Sequence, residues 1–522
     1  MEFTQRYIAR ITVEADTPIA VGSGEKGVIV DRLIAKDANG LPYIPGTSLT
    51  GVLRHSFPND SWVNDIFGSD GEDGKGSRLI ISSAHIIGED GKTVIEGLQN
   101  VDLSSGFYSY FSRLPERDHV RMTDKGAADT KGHGKFDEEL VHKGTRFVFE
   151  LELIGNNDDS ENWAKLLNAI SSPAFRIGAG TRKGFGKLKI ISKQSKSRVF
   201  DLSQGDLKNY LAKTSSLNYP LDDKWKVLSL NYTDNKMAGW ESYEINLQAK
   251  DFFLFSAGFG DEDADNKSKT EKYFTWDSGK PELKESQDYL LIPATSIKGA
   301  LAHRTAFHYN TLKGMTIDQA GAINFSADLK IEEVLNQLAK DFDLDTLPDD
   351  SNAIEWNQMK EKLQNLDLNY AGLFENFQSD LNEEIDGMKD GTLPVGENNE
   401  AVKQLFGFAK NTEGKREGLR GRVIMDDIYL PFNNGNEKVF NHTKIDRFTN
   451  GTIDGALFQE KAYSTNEIIP LKIWVEQTAF TGVNGDEMKQ AFEKALDDLK
   501  TGKLPLGGNS AKGHGIFEEA KN

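Results

Sequence analysis

The sequence predicts two tandem α+β domains, and three observations support that. The segment Ile44-Pro-Gly-Thr-Ser-Leu-Thr-Gly-Val-Leu-Arg-His55 returns as Ile292-Pro-Ala-Thr-Ser-Ile-Lys-Gly-Ala-Leu-Ala-His303, with seven of twelve positions identical. Ile177-Gly-Ala-Gly-Thr-Arg-Lys-Gly-Phe-Gly186 is echoed by Leu506-Gly-Gly-Asn-Ser-Ala-Lys-Gly-His-Gly515. Strand and helix patterns recur in one order around both motifs. Two motifs repeating in the same order indicate a tandem duplication.

Alternating residues predict a strand at the start of each copy, Ile11–Glu14 and Ile245–Gln248. Pro45 ends a strand, and Thr47 or Ser48 stands where a helix N-cap is wanted. Further strands are expected at Arg78–Ile81, Arg146–Leu153, Arg422–Met425 and Ile468–Val475, and helices at Glu161–Ile170 and Glu487–Leu499. A glycine-rich loop and a last strand close each copy. Strand, helix, strands, helix, strand is a ferredoxin-like α+β order. The expected division is a first domain at 1–194, a polar linker at 195–238 with a short helix near Asp206–Lys213, and a second domain at 239–522.

The repeats also locate an insertion. Ile44 to Phe67 is 23 residues, whereas Ile292 to Phe406 is 114, so the second copy carries about 91 extra residues. Within it, residues 311–400 hold twenty Asp/Glu and six Lys, a net charge of −14. Ile331, Val334, Leu335, Leu338 and Phe342 recur at helical spacing, so the acidic insert reads as a solvated helical element.

A chain of 522 residues is long enough for two cores. No segment is apolar over the length of a membrane span, and Met1–Arg6 has no signal-peptide character, so a soluble, cytoplasmic protein is expected. Without cysteine, disulfides and thiolate metal sites are excluded. The net charge of −19 argues against nucleic acid until the insert is set aside, which leaves −5 for the other 432 residues. Arg176 to Lys193 carries six basic side chains and no acidic one. RNA bound on one face fits that distribution.

The Pro-Thr-Ser helix offers backbone N–H groups to a phosphate. Gly51 inside it costs about 0.5–1 kcal/mol relative to alanine, which suggests a close approach to the helix face. Thr47, Ser48, Gly51 and Arg54, with Thr295, Ser296 and Lys298 in the second copy, are therefore candidate RNA contacts. The glycine-rich loop is not a P-loop, because Lys187 leads into an alternating strand and the second copy has no lysine there. Glycines with Arg182, Lys183 and Lys512 fit a backbone that follows a single strand of RNA. Residues 118–142 and 442–458 read as long hairpins, whose Arg121, Met122, Arg447 and Phe448 could wedge between bases. The nine histidines show no metal-ligand spacing.

These motifs resemble the RAMP superfamily (repeat-associated mysterious proteins), and within it the backbone subunit of type III CRISPR effector complexes. The resemblance spans both halves except the insert and implies a tandem fusion of two such subunits. It implies RNA-recognition-like domains with thumb hairpins that line up along a guide CRISPR RNA and act in antiviral defence. Its other implied partners are target RNA and further backbone, small and large polymerase-like subunits. Active members cut target RNA with one aspartate in the loop after the first strand. That role carries over to Asp31, as the catalytic residue and as a ligand of Mg²⁺ or another divalent cation, with attack by the RNA's own 2′-OH. Asp37 reads instead as a turn residue. Counting back in the second copy puts Glu271 at the Asp31 position and Trp276-Asp277-Ser278-Gly279 at the Asp37 turn, so one cut per chain is expected. Asp261, Asp263 and Asp265 lie in the same loop without an aligned role. Alternatives are a non-catalytic guide-binding scaffold and a guide-processing ribonuclease.

Overall fold

A computed structural model describes residues 3–521 except 26, 28–29, 59–60, 71–73, 105, 121–134, 229, 231–238, 278, 284–287, 318–322, 326–392, 413–414 and 483. The insert helix expected around Ile331–Phe342, and Arg121 and Met122, lie outside the described residues. The architecture is mixed α+β, with several mainly antiparallel sheets and few helices. No described helix is long and apolar enough to cross a membrane.

The first sheet centres on the strand Gln5–Ala15. Arg146–Gly155 pairs antiparallel along one edge of it, with Ile11 opposite Phe149, and Leu79–Ile81 extends the sheet beyond. Leu188–Ile190 and Lys196–Asp201 share the other edge, at opposite ends of the central strand. The alternation at Ile11–Glu14 belongs to a strand buried along almost its whole length. Its polar face is covered by the segment read as a linker. Arg10 donates to the Tyr219 carbonyl at 2.6 Å, and the Ser195 hydroxyl accepts the Thr12 N–H at 3.0 Å. The helix Ser160–Ile170 buries Trp163, Leu166, Leu167 and Ile170, the one-face spacing that marked it in the sequence.

The second copy repeats the strand order. Val423–Met425, Ile469–Glu476, Trp240–Ala249 and Phe517–Glu519 follow one another as Leu79–Ile81, Arg146–Gly155, Gln5–Ala15 and Leu188–Ile190 do in the first.

The chain divides into two compact units, and their borders are not those of the repeat. One unit is Met1–Ile297 with Ile424–Val475 and Leu506–Asn522; the other is Lys298–Val423 with Glu476–Pro505. Inside the first unit the copies are joined by buried charge. Arg117 donates to both Glu271 oxygens at 2.6 and 2.7 Å, to Asp427 at 2.5 Å and to the Tyr429 hydroxyl at 2.9 Å. Burial pushes the Glu271 carboxyl up, but Arg117 pulls it below the ordinary range. Burial prevails at Asp427, whose carboxyl is held up. Lys187 bridges Asp16 at 2.9 Å and Asp426 at 3.0 Å, and Arg176 also binds Asp426. In the second unit, Tyr309, Ala401, Met488 and Ala491 form an apolar cluster. Asp498 there takes Arg304 and His308, each at 2.6 Å.

Candidate nucleic-acid interface

The helix Gly46–His55 starts two or three residues earlier than the sequence suggested. Pro45 is the N-cap and no side chain caps the helix, so Thr47 and Ser48 are already inside its first turn. The cap role passes to the short connection between two neighbouring strands. The Ser83 hydroxyl accepts the Gly46 N–H at 3.3 Å, and the Asp427 carboxylate accepts the Ala294 N–H at 2.8 Å in the second copy. Pro45 and Pro293 have no N–H, so the chain is anchored at the next residue. Thr47 is exposed, while Ser48, Thr295, Ser296 and Lys298 are half-buried. Arg54 is turned onto its own domain, donating to Gly68 at 3.0 Å and Asn64 at 2.9 Å. A Cβ on Gly51 or Gly299 would meet nothing within 4 Å. No described part of the chain accounts for glycine there.

The hairpin Glu116–Val120/Lys135–Glu139 brings three segments together at its base. His119 lies opposite Phe136 in the strand register and stacks on its ring, centroids 4.8 Å apart. Glu138, two residues on and on the same face, is 1% exposed with His119 at 2.7 Å, Lys183 at 3.5 Å and Arg32 at 3.6 Å. Lys183, from the glycine-rich loop, also lies 4.2 Å from the Phe136 ring centroid. Burial raises the Glu138 carboxyl, but His119, Lys183 and Arg32 together bring it below the usual value. Burial, with Arg32, lowers the Lys183 ammonium against the pull of Glu138. Asp31 is exposed at the edge of this cluster, and its Oδ2 accepts the Asp137 N–H at 3.2 Å.

The second copy builds the same cluster from different sequence. His442 stacks on Phe458 at 4.8 Å and sits 2.8 Å from Glu460. Lys512 lies 3.2 Å from Glu460 and 4.7 Å from the Phe458 ring centroid. The loop that precedes the helix corresponds as well. Arg32 pairs in parallel with Glu138, and Asn266 pairs in parallel with Glu460. One residue earlier, the Asp265 carboxylate accepts the Gln459 N–H at 2.8 Å, as Asp31 accepts that of Asp137.

Asp265, not Glu271, therefore stands where Asp31 stands. Counting failed because the extra residues of this loop form the hairpin Phe274–Asp277/Lys280–Leu283, which follows Glu271. Glu271 corresponds to Asp37 and is consumed by Arg117. Asp37 itself caps a turn, accepting the N–H groups of Asn39 at 2.8 Å and Leu41 at 3.1 Å.

The sequence model of the RAMP superfamily matches residues 12–189 and 278–518. The chain belongs to the RAMP superfamily. Each matched region holds one Pro-Thr-Ser helix and one glycine-rich loop, so the chain is a tandem of two RAMP regions. RAMP proteins are generally CRISPR-associated RNA-binding proteins, and some are RNA endoribonucleases. Comparison with curated proteins returns no match.

Among the other expected RAMP contacts, Arg182 lies over the Trp240 ring at 5.7 Å. Arg447 and Phe448 are exposed on the second hairpin, Phe448 by 96%. His119, Glu138, His442 and Glu460 were missed in the sequence. The signal was Phe-x-Glu at 136–138 and again at 458–460, ahead of the long strand of each copy. Mg²⁺ keeps most of its water and needs few protein oxygens, so the exposed Asp31 carboxylate fits it as a single ligand. No group of three His, Asp or Glu able to hold a metal exists among the described residues.

Proposed function

We propose that the chain is a backbone subunit of a type III CRISPR ribonucleoprotein, gripping guide RNA and cutting complementary target RNA beside Asp31 and beside Asp265. The observation that carries this reading is the duplicated cluster. In each copy a loop carboxylate is held by a hairpin-base N–H, next to a lysine from the glycine-rich loop. The repeated strand order supports an RNA-recognition-like core in each copy, and open space beside Gly51 and Gly299 supports a backbone passing there.

The chemistry asks little of the protein. The 2′-oxygen attacks the adjacent phosphorus, the bond to the 5′ oxygen breaks, and a cyclic phosphate and a 5′-hydroxyl result. The chain must align those three atoms, since positioning supplies much of the rate. Its lysines hold phosphate by charge, without reading bases. The Asp31 or Asp265 carboxylate accepts the 2′-OH proton or orients the group that does. A bound Mg²⁺, held through the aspartate, would supply charge stabilisation at the phosphate.

The assembled complex with matched target RNA tests this. Asp31→Ala removes one cut and Asp265→Ala removes another, while target binding persists in both. A ladder unchanged by either substitution refutes the assignment. A second reading is a scaffold that binds guide RNA and cuts nothing. Intact target after incubation with the wild-type complex would establish it.

A further inference from the structure

One cavity lies in the second copy. It has a volume of about 410 Å³ and is lined by Asp261, Asp263, Ser268, Phe432, Glu437 and Lys461, among others. At two of these positions the first copy has buried apolar residues. Ser268 corresponds to Ile34, since Gly22 bridges Ile34 as Ser256 bridges Ser268. Glu437 corresponds to Leu114, five residues before His119 as Glu437 is before His442. Ile34 and Leu114 are 4% and 3% exposed. Two buried apolar side chains have thus become a hydroxyl and a carboxylate.

Neither replacement is explained by the fold. Ser268 is 2% exposed, and its hydroxyl has no hydrogen-bond partner. A buried polar group in that state costs stability unless a ligand or a water in the cavity satisfies it. Glu437 makes no hydrogen bond or ion pair through its carboxylate among the described residues. Burial holds that carboxyl up, Lys461 draws it down, and Asp261 and Asp263 push it up again. The other charges are already paired. Lys461 takes Asp261 and Asp263, both at 2.9 Å, and Lys267 reaches Asp261 at 3.5 Å.

We propose that this cavity receives a guanine base of the RNA cut beside Asp265, with Glu437 accepting from its Watson–Crick edge. The inference rests on the cleavage reading above and adds a base preference to it. Guanine presents two neighbouring N–H donors that a carboxylate accepts together. Ser268 and Asn434 offer further polar partners, and Phe432 and Val439 form apolar walls. Bases splayed out of single-stranded RNA are read this way, on their hydrogen-bonding edges against apolar walls. The surplus of carboxylates excludes a phosphate from the cavity but suits donor-rich base edges. The distance also fits. Gln459, which holds Asp265, is two residues from Lys461 on one strand, a separation of about 7 Å. A base can therefore sit in the cavity while its backbone stays at Asp265.

The test uses target RNAs carrying each of the four bases at the nucleotide beside the second cut, with the first cut as internal control. Guanine should raise the second cut about tenfold, the worth of one bidentate base contact. Glu437→Gln, and Ser268→Ile with Glu437→Leu to copy the first copy's filling, should both abolish the preference. In a separate measurement, guanosine rather than adenosine should bind the intact purified chain, and Glu437→Gln should lose it. Equal second cuts for all four bases overturn the inference but keep the cleavage reading. Guanosine binding without a second cut does the reverse. Binding of arginine amide in place of guanosine overturns it in favour of a basic side chain from a protein partner.

Discussion

His119, Phe136, Glu138 and Lys183 in the first copy have the same mutual contacts as His442, Phe458, Glu460 and Lys512 in the second, yet the residues around the two sets diverge. Arg117, which ties the first hairpin to Glu271 and Asp427, corresponds to Phe440, which meets Phe252 and His514 edge-on. Asp118 faces Asp137 across the first hairpin, while Gln459 donates to Asn441 across the second. Ile34 and Leu114 have become Ser268 and Glu437. What both copies retain is the device that clamps a glycine-rich loop to a hairpin base. What varies is the surroundings, which decide whether a copy docks on its sibling, carries extra carboxylates or opens a cavity.

The largest expected effect breaks that comparison at Arg117. Arg117→Phe, which imports the second copy's residue, leaves Glu271 and Asp427 buried without their cation. Removing one partner of a buried charged set costs about 3–5 kcal/mol, read as a lowered denaturation midpoint in urea. Arg117→Met with Glu271→Met and Asp427→Asn should recover most of the loss, because no charge is then left uncompensated. A neutral Arg117→Phe would show that apolar packing suffices at this position in either copy.

The next effect sharpens the comparison. Glu138→Gln and Glu460→Gln should each cost about 1–3 kcal/mol, the range for weakening a buried charged partner. Similar losses mean the two clamps are energetically alike. For Glu138 the pH dependence has a defined sign. Its folded carboxyl titrates below the ordinary value of 4.5, so its contribution is present above that pH and is lost as pH falls through the folded value. The gap between wild type and Glu138→Gln should be full near neutral pH and close in acid.

How far the sequence revealed this depends on which residues carry the signal. The duplication was legible because its motifs sit where only certain residues fit. Gly186 and Gly515 have φ of 81° and 78°, and a Cβ on either would lie 2.2 Å from the Ile177 carbonyl oxygen or 2.1 Å from that of Leu506. Such positions keep glycine whatever else changes. The helices Ser160–Ile170 and Gly485–Lys500 were legible for a different reason, their one-sided apolar spacing. The correspondence of Asp31 with Asp265 was not, because counting cannot tell whether added residues precede or follow a site. The clamp was not legible either. Its four members come from three segments, and only pairing across the hairpin puts His119 over Phe136 and Glu138 beside Lys183.

The smallest effect concerns the glycines inside the two Pro-Thr-Ser helices. Gly51 and Gly299 lie within helices, neither has a positive φ, and an added Cβ at either meets no atom within 4 Å. Alanine loses less backbone entropy on folding into a helix, so Gly51→Ala and Gly299→Ala should each stabilise the free chain by about 0.5–1 kcal/mol. A residue that weakens its own helix without relieving any clash among the described residues needs a reason outside them. If an RNA backbone runs against these helix faces, the same substitutions should weaken guide binding while they raise the melting temperature of the free chain. The weakening should be equal for unrelated guide sequences, since a contact to the backbone reads no base. Opposite signs in the two measurements, at both positions, would show that the two copies carry guide RNA on the same face. A gain in stability with no loss of binding would leave the glycines without a function and confine the RNA to the hairpin side of each copy.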